Sequence, residues 1–347
     1  MTQLLQDAWY MAGWSEEVGE VPLSRRLVDR RVVLFRAEDG TVVALRDRCP
    51  HRFAPLSLGT REGDTLVCAY HGLTFDRSGA CVRNAFADRI PAGAQVRAYP
   101  TAERDGIVWF WPGEAALADP SAIPDFSMLA ETPMSRTLHG YTAMKAGYEY
   151  GTDNLMDLSH IEFVHKGSFA GAGVIFAGEH KVRQDGETLH SDWWMPGVPA
   201  PSHTAGIYPP DMITDHWLEM RWNAPASMYL QIGSTPTGAP RETGIISHQA
   251  HILTPETDGT THYFWASTYG TPPGVPDMAP MLRDLFGQAF DQEDKPIIEA
   301  AYDNLEGEDF WAQRPVSLGI DQGGTRARRL IQSMLRREGE TAAAGAA

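Results

Sequence analysis

The sequence predicts an α+β fold in two parts: an all-β domain over residues 1–117, then a larger domain over 118–347 in which an antiparallel sheet is flanked by helices. Three observations carry this. Short β-rich runs punctuated by Gly, Pro and Asp fill the first hundred-odd residues. A segment rich in Pro, Ala and Asp, Pro112 to Asp125, follows them. Beyond it, strand-like runs lie between two stretches of helical periodicity. The chain's 347 residues agree with two domains at roughly 150 residues each.

In chain order, VVLFRAEDGTVVAL from Val32 to Leu45 is a hairpin, two β-rich runs about Asp39-Gly40. Thr65 to Ala69 and Gly106 to Trp111 are further short strands. Thr152 to His165 is helical. Asp192-Trp193-Trp194, Ser227 to Gly233, Gly244 to Leu253 and Thr261 to Thr268 are strands, and Met281 to Leu305 returns to helix. Arg326, Arg328, Arg329, Arg336 and Arg337 interleave with Leu330, Ile331, Met334 and Leu335, which predicts an amphipathic helix with its arginines on a solvated face. The tail, Thr341 to Ala347, has nothing to anchor it and is expected to fray.

Composition narrows the function. Hydrophobic residues make up 43% and charged ones 21%, ordinary for a soluble globular protein. No apolar run approaches the roughly 18 residues of a membrane span, and MTQLLQDAWY lacks the pattern of a signal peptide. Lys and Arg number 29 against 45 Asp and Glu, a formal charge of −16. That charge opposes general affinity for nucleic acid or anionic lipid and leaves room for a basic protein partner. Three cysteines, Cys49, Cys68 and Cys81, do not make a disulfide framework, so the expected compartment is the reducing cytoplasm. Paired cysteine there means metal or redox chemistry.

Cys49-Pro50-His51 and Cys68-Ala69-Tyr70-His71 each supply one thiolate and one imidazole. A zinc finger more typically groups its cysteines together and its histidines together. Mixed loops suit a 2Fe-2S cluster of the Rieske kind, in which two cysteines hold one iron and two histidines the other. CPHRFAPLSLG and CAYHGLTFD match that pattern, with Gly72 allowing a tight turn after the last His. Cys81 lies outside both loops and reads as a small buried apolar residue.

More than two hundred residues follow, and something in them should use the electrons. In DNLMDLSHIEFVH, Asn154, Asp157 and His160 are spaced i, i+3, i+6 and share a helical face. His165 lies about 140° around the helix from His160, so convergence on one metal requires a π-type turn or a break near Phe163. Two His and one carboxylate with open positions suit a non-haem Fe(II) that activates oxygen. The carboxylate predicted from periodicity is Asp294, in a stripe formed by Phe286, Phe290, Ile298, Ala301 and Leu305, where a charge is costly unless paired or metal-bound. A salt-bridged acid is the alternative. Asp291 and Glu293 read as solvent-facing, and Pro296 should kink the helix close to Asp294.

From DAWYMAGW through both Cys-His loops and DNLMDLSHIEFVH to HILTPETDGTTHYFW and QEDKPIIEA, the chain resembles the α-subunit of Rieske non-haem iron oxygenases, in the aromatic O-demethylase branch. The resemblance implies that Cys49, His51, Cys68 and His71 hold the 2Fe-2S cluster and that His160, His165 and Asp294 hold the mononuclear Fe(II). It implies a head-to-tail homotrimer, with Asp157 matching the acid that bridges a cluster His and an iron His across the interface. Asn154 matches an amide close to the iron, and His251 a pocket histidine that contacts a carboxylate or phenolic oxygen of the substrate. The partners it implies are a flavin and iron-sulfur reductase using NADH or NADPH, O2 and an aromatic small molecule. The reaction expected is methyl hydroxylation, with O-demethylation of a methoxylated aromatic acid foremost and benzylic hydroxylation or arene cis-dihydroxylation as rivals. Segments 167–182 and 196–212, expected to line the pocket, least resemble the family.

Overall fold

The computed structural model describes residues 3–133, 136–169, 173–201, 204, 207–209, 211–269 and 277–345. The chain forms two compact units, Met1–Ile123 with Thr254–Asp258, and Pro124–Leu253 with Gly259–Ala347.

The strands of the first unit are β1 (Tyr10–Trp14), β2 (Leu23–Leu27), β3 (Arg30–Arg36), β4 (Val42–Arg46), β5 (Thr60–Glu62), β6 (Thr65–Val67), β7 (Thr74–Phe75), β8 (Cys81–Arg83), β9 (Ala98–Tyr99), β10 (Thr101–Arg104) and β11 (Ile107–Phe110). They build three small sheets, ordered β1-β11-β10, β2-β3-β4-β9 and β5-β6-β7-β8. The expected hairpin is β3–β4. Its turn closes through Gly40 N–H to the Ala37 carbonyl at 3.0 Å, with Asp39 accepting the Thr41 N–H at 2.9 Å. Val33, Phe35, Val43, Leu45, Leu56, Leu66 and Phe75 pack into one core. Cys81 is buried in that core as a small apolar residue.

The second unit holds a seven-stranded sheet made of β12 (Thr137–Met144), β13 (Glu179–Asp185), β14 (Thr188–Pro199), β15 (Ile213–Asn223), β16 (Ser227–Pro236), β17 (Ile245–Pro255) and β18 (Thr261–Thr268). Strands β13 to β18 follow one another across it, and β12 adds on beyond β18. This meander of hairpins agrees with the predicted antiparallel sheet. Its helices are α1 (Ser127–Glu131), α2 (Tyr148–Met156), α3 (Ile161–Val164), α4 (Ala279–Gly287), α5 (Lys295–Asp303) and α6 (Gln322–Gly345), with a π-helical turn, Gln288–Asp294, joining α4 to α5. Among the described residues, no helix is long and apolar enough to cross a membrane.

Three expectations need correction. The helix expected over Thr152 to His165 breaks at Asp157 (φ −123°, ψ 84°) rather than near Phe163, because the Asp157 carboxylate accepts the Ser159 amide and hydroxyl at 3.1 and 2.6 Å and caps a new turn. Arg328 is not on a solvated face. It is buried, donating from Nε to Asp153 Oδ2 at 2.8 Å and from Nη1 to Glu149 Oε2 at 3.1 Å, so α6 is clamped to α2. Of the tail, Thr341 to Gly345 continue α6, as the helix propensity of alanine allows, and residues 346–347 lie outside the described residues.

Candidate metal centres

The two Cys-His loops are built alike. Cys49 N–H donates to the Ala54 carbonyl at 2.9 Å and Phe53 N–H to the Cys49 carbonyl at 3.0 Å. In the second loop, Cys68 N–H donates to Leu73 at 2.8 Å and Gly72 N–H to Cys68 at 2.9 Å. Each loop turns on a left-handed residue four after its cysteine, Phe53 (φ 61°) and Gly72 (φ 68°). Glycine at the second position makes that backbone free of strain. Gly59 lets the strands behind the loops meet, since a Cβ there would lie 2.0 Å from the Val67 carbonyl oxygen.

Both cysteines are buried, whereas His51 is exposed and His71 half-buried, with the imidazole rings 4.5 Å apart. The set is therefore polar along its length, thiols inside and imidazoles outside. Burial, together with the facing Cys68 thiol, pushes the Cys49 thiol up to about 11, and a bound cation would reverse that preference. His71 Nδ1 is buried without a hydrogen-bond partner, a costly state for a ring nitrogen unless a metal takes its lone pair. The donor set fits a 2Fe-2S cluster with two thiolate and two imidazole ligands.

The second candidate centre joins two neighbouring histidines to a carboxylate from far along the chain. His160 ends the turn that Asp157 caps, His165 terminates α3, and Asp294 ends the π-helical turn. His160 Nε2 lies 3.5 Å from Asp294 Oδ1 and His165 Nε2 lies 3.3 Å from Asp294 Oδ2. One ligand atom from each residue lies within 4.8 Å of the other two. Asn154 donates from Nδ2 to Asp294 Oδ1 at 3.1 Å. The Asp157 carbonyl, 2.5 Å from His160 Nδ1, only accepts hydrogen bonds, so the proton sits on Nδ1 and the Nε2 lone pair faces Asp294. Two imidazoles and a carboxylate fit an Fe(II) site.

The π-helical turn puts Asp294 there. Pro296, in the first turn of α5, has no N–H for the carbonyl four residues back, so the regular ladder is interrupted where the sequence predicts a kink. Phe286, Phe290, Asp294 and Ile298 are buried as one stripe, but Ala301 is exposed. Phe290 packs on His251, Tyr263 and Trp265 of the sheet, with centroids 5.6, 5.6 and 5.4 Å away. His251 is fully enclosed, its Nδ1 2.7 Å from the Tyr263 hydroxyl and its Nε2 3.0 Å from Gln249 Oε1. Burial pushes its pKa down to about 4 against the pull of Asp294, so its ring is neutral near pH 7.

Two site expectations change. The Asp157 carboxylate caps Ser159, and it is the Asp157 carbonyl that reaches His160. Glu293 does not face solvent: its Oε2 lies 2.8 Å from His165 Nδ1. Sequence periodicity missed it because the wider π turn shifts helical phase between Phe290 and Asp294. Asp291 is exposed as expected, accepting a bond from Thr142 Oγ1 at 2.7 Å. Within the expected pocket segments, residues 170–172, 202–203, 205–206 and 210 lie outside the described residues.

Comparison with known proteins bears on both centres. The Rieske [2Fe-2S] domain family matches residues 8–100, and the vanillate O-demethylase oxygenase C-terminal domain family matches residues 144–337. The chain is 38% identical to the dicamba O-demethylase oxygenase component of Stenotrophomonas maltophilia, over 95% of this chain and 97% of the relative. It is 34% identical to the chloroacetanilide N-alkylformylase oxygenase component of Rhizorhabdus wittichii, over 96% and 97%. The crystal structure of dicamba monooxygenase with non-haem iron and dicamba superimposes with a TM-score of 0.84 at 36% identity, covering 98% of this chain and all of the other.

Proposed function

Because the chain belongs to the Rieske non-haem iron oxygenases, in their aromatic O-demethylase branch, we propose that it is the oxygenase component that removes the O-methyl group of a methoxylated aromatic acid. Overall, ArOCH3, O2, two electrons and two protons give ArOH, formaldehyde and water. Hydroxylation at the methyl carbon gives a hemiacetal, which collapses to the phenol and the aldehyde. The observation that carries this reading is the His160, His165 and Asp294 triangle, downstream of two Cys-His loops in the same chain.

In this reading Cys49 and Cys68 hold one iron of the cluster and His51 and His71 the other, while His160, His165 and Asp294 hold the mononuclear iron. When bound, that iron supplies oxygen activation at its open positions. The chain's own groups hold and orient. Asn154 donates to the Asp294 carboxylate and so restrains its direction. Phe286, Phe290 and Trp265 keep the Asp294 side of the site apolar. His251, neutral and buried, has both ring nitrogens engaged, by Tyr263 and Gln249, so it meets a carboxylate or phenolic oxygen of the substrate by exchanging one of these partners for it. The working assembly is a head-to-tail homotrimer in the cytoplasm, supplied by a flavin and iron-sulfur reductase that oxidises NADH or NADPH. There Asp157 links a cluster histidine of one chain to His160 of the next, its carbonyl already on His160.

A panel of methoxylated and methylated aromatic acids, assayed with a surrogate reductase, tests the reading. One formaldehyde per turnover and a phenol that retains the original ether oxygen are expected. Heavy oxygen from O2 in the phenol would mean ring oxygenation instead. The N-alkylformylase relative favours one second reading, N-dealkylation, so the panel includes N-alkyl anilides. Aldehyde released from these alone would replace the first reading.

A further inference from the structure

Glu293 stands beside Asp294, yet its carboxylate serves a different residue. Oε2 lies 2.8 Å from His165 Nδ1 and accepts the Ser168 hydroxyl as well, while Oε1 accepts Gln288 Nε2 at 3.0 Å. The Glu293 side chain is 13% exposed and the His165 side chain 4%. Gly167 keeps the space open. A Cβ on it would come within 2.4 Å of Gln288 Nε2 and 2.7 Å of Glu293 Oε1. The carboxylate is therefore held from several sides and aimed at one ring nitrogen.

His160 is backed differently. Its Nδ1 meets the Asp157 peptide carbonyl, a neutral acceptor. A hydrogen bond to a carboxylate is roughly twice as strong as one to a neutral group, and an imidazole that gives its N–H to a carboxylate is more basic at its other nitrogen. The two histidines are thus chemically unequal although both point Nε2 at Asp294.

On the reading that His160, His165 and Asp294 form the iron site, we infer that Glu293 is the positioning residue of His165. It keeps the ring proton on Nδ1, turns the Nε2 lone pair toward the metal, and makes His165 the stronger imidazole donor of the pair. Ser168 and Gln288 hold the carboxylate in place for that task.

Anaerobic titration with Fe(II) against a competing chelator tests this in protein whose cluster is intact and whose mononuclear iron has been exchanged out. Glu293→Ala should weaken Fe(II) binding about 10–100-fold, the usual cost of removing such a partner, with cluster absorbance and far-ultraviolet circular dichroism unchanged. Glu293→Gln keeps an acceptor oxygen in the same place without the charge. Its affinity should fall between those of the alanine variant and the unaltered protein. Should the alanine variant not fold, the isosteric glutamine variant is compared with the unaltered protein directly. Fe(II) affinity in the folded variants equal to that of the unaltered protein overturns the inference. Failure of the unaltered protein to take up Fe(II) at all would instead overturn the iron-site reading beneath it.

Discussion

The two Cys-His loops draw their four proposed cluster ligands from Cys49 to His71, while the proposed mononuclear centre waits for Asp294 to join His160 and His165. In the loops, each cysteine is tied to its own loop by backbone hydrogen bonds to residues four and five further on. In the second centre, His160 is oriented by Asp157 of its own turn, but Glu293 orients His165 and Asn154 orients Asp294 from segments more than a hundred residues away. Local backbone geometry organises the first site and long-range packing the second. Damage to a remote contact should therefore reach the iron site more readily than the cluster.

Asp294→Ala is the severest way to break the comparison. It removes one of the three proposed ligands of the mononuclear site and leaves both Cys-His loops unaltered in sequence, so iron binding there and turnover should both be lost while the visible spectrum of the cluster remains. Metal analysis with acid-labile sulfide checks this. Full turnover in the variant would move the ligand role to another acid.

A smaller effect is expected from Arg328→Ala, which leaves the half-buried Asp153 and Glu149 without their cation and strips the ring contacts with Tyr150 and Phe310. Breaking a fully buried pair from one side typically costs about 3–5 kcal/mol, and water reaching the half-buried carboxylates brings the expected loss below that range. Because Asp153 and Asn154 share α2, Fe(II) retention should fall together with the unfolding midpoint. Denaturant unfolding followed by circular dichroism measures the loss. Stability within about 1 kcal/mol of the unaltered protein, the scale of a surface ion pair, would mean the clamp is idle.

The smallest effect sharpens the local side. Gly72→Ala forces a left-handed alanine and brings its Cβ within 3.1 Å of the Ala85 Cβ, a cost of roughly 1–2 kcal/mol for the conformation. Gly40 carries a similar positive φ in the β3–β4 turn with open space around it. Gly40→Ala is the control for strain away from the loops. Thermal loss of cluster absorbance should come earlier in the Gly72 variant than in the Gly40 variant. Equal loss in both would mean that loop geometry does not specially protect the cluster.

The α+β class, the β3–β4 hairpin, four strands of the large sheet (β14, β16, β17 and β18, but not β12, β13 or β15) and both Cys-His loops were legible from residue order, because hairpin turns, alternation and ligand spacing act over a few neighbours. Asp294 was legible too, since an acid in an apolar stripe demands compensation whichever way the helix turns. Other features were decided only by the folded geometry, most of them by partners far along the chain. Asp157 can cap a turn or face a histidine, and only the bonds to Ser159 decide which of its oxygens reaches His160. Arg328 resembles its neighbours in α6 until α2 supplies two carboxylates beside it. Glu293 lies off the stripe in a regular helix. The π-helical turn and the gap left by Gly167 bring it to His165. A hydrogen bond or ion pair between residues more than a hundred positions apart leaves no periodic trace, and its direction is set only when the elements carrying the two groups pack.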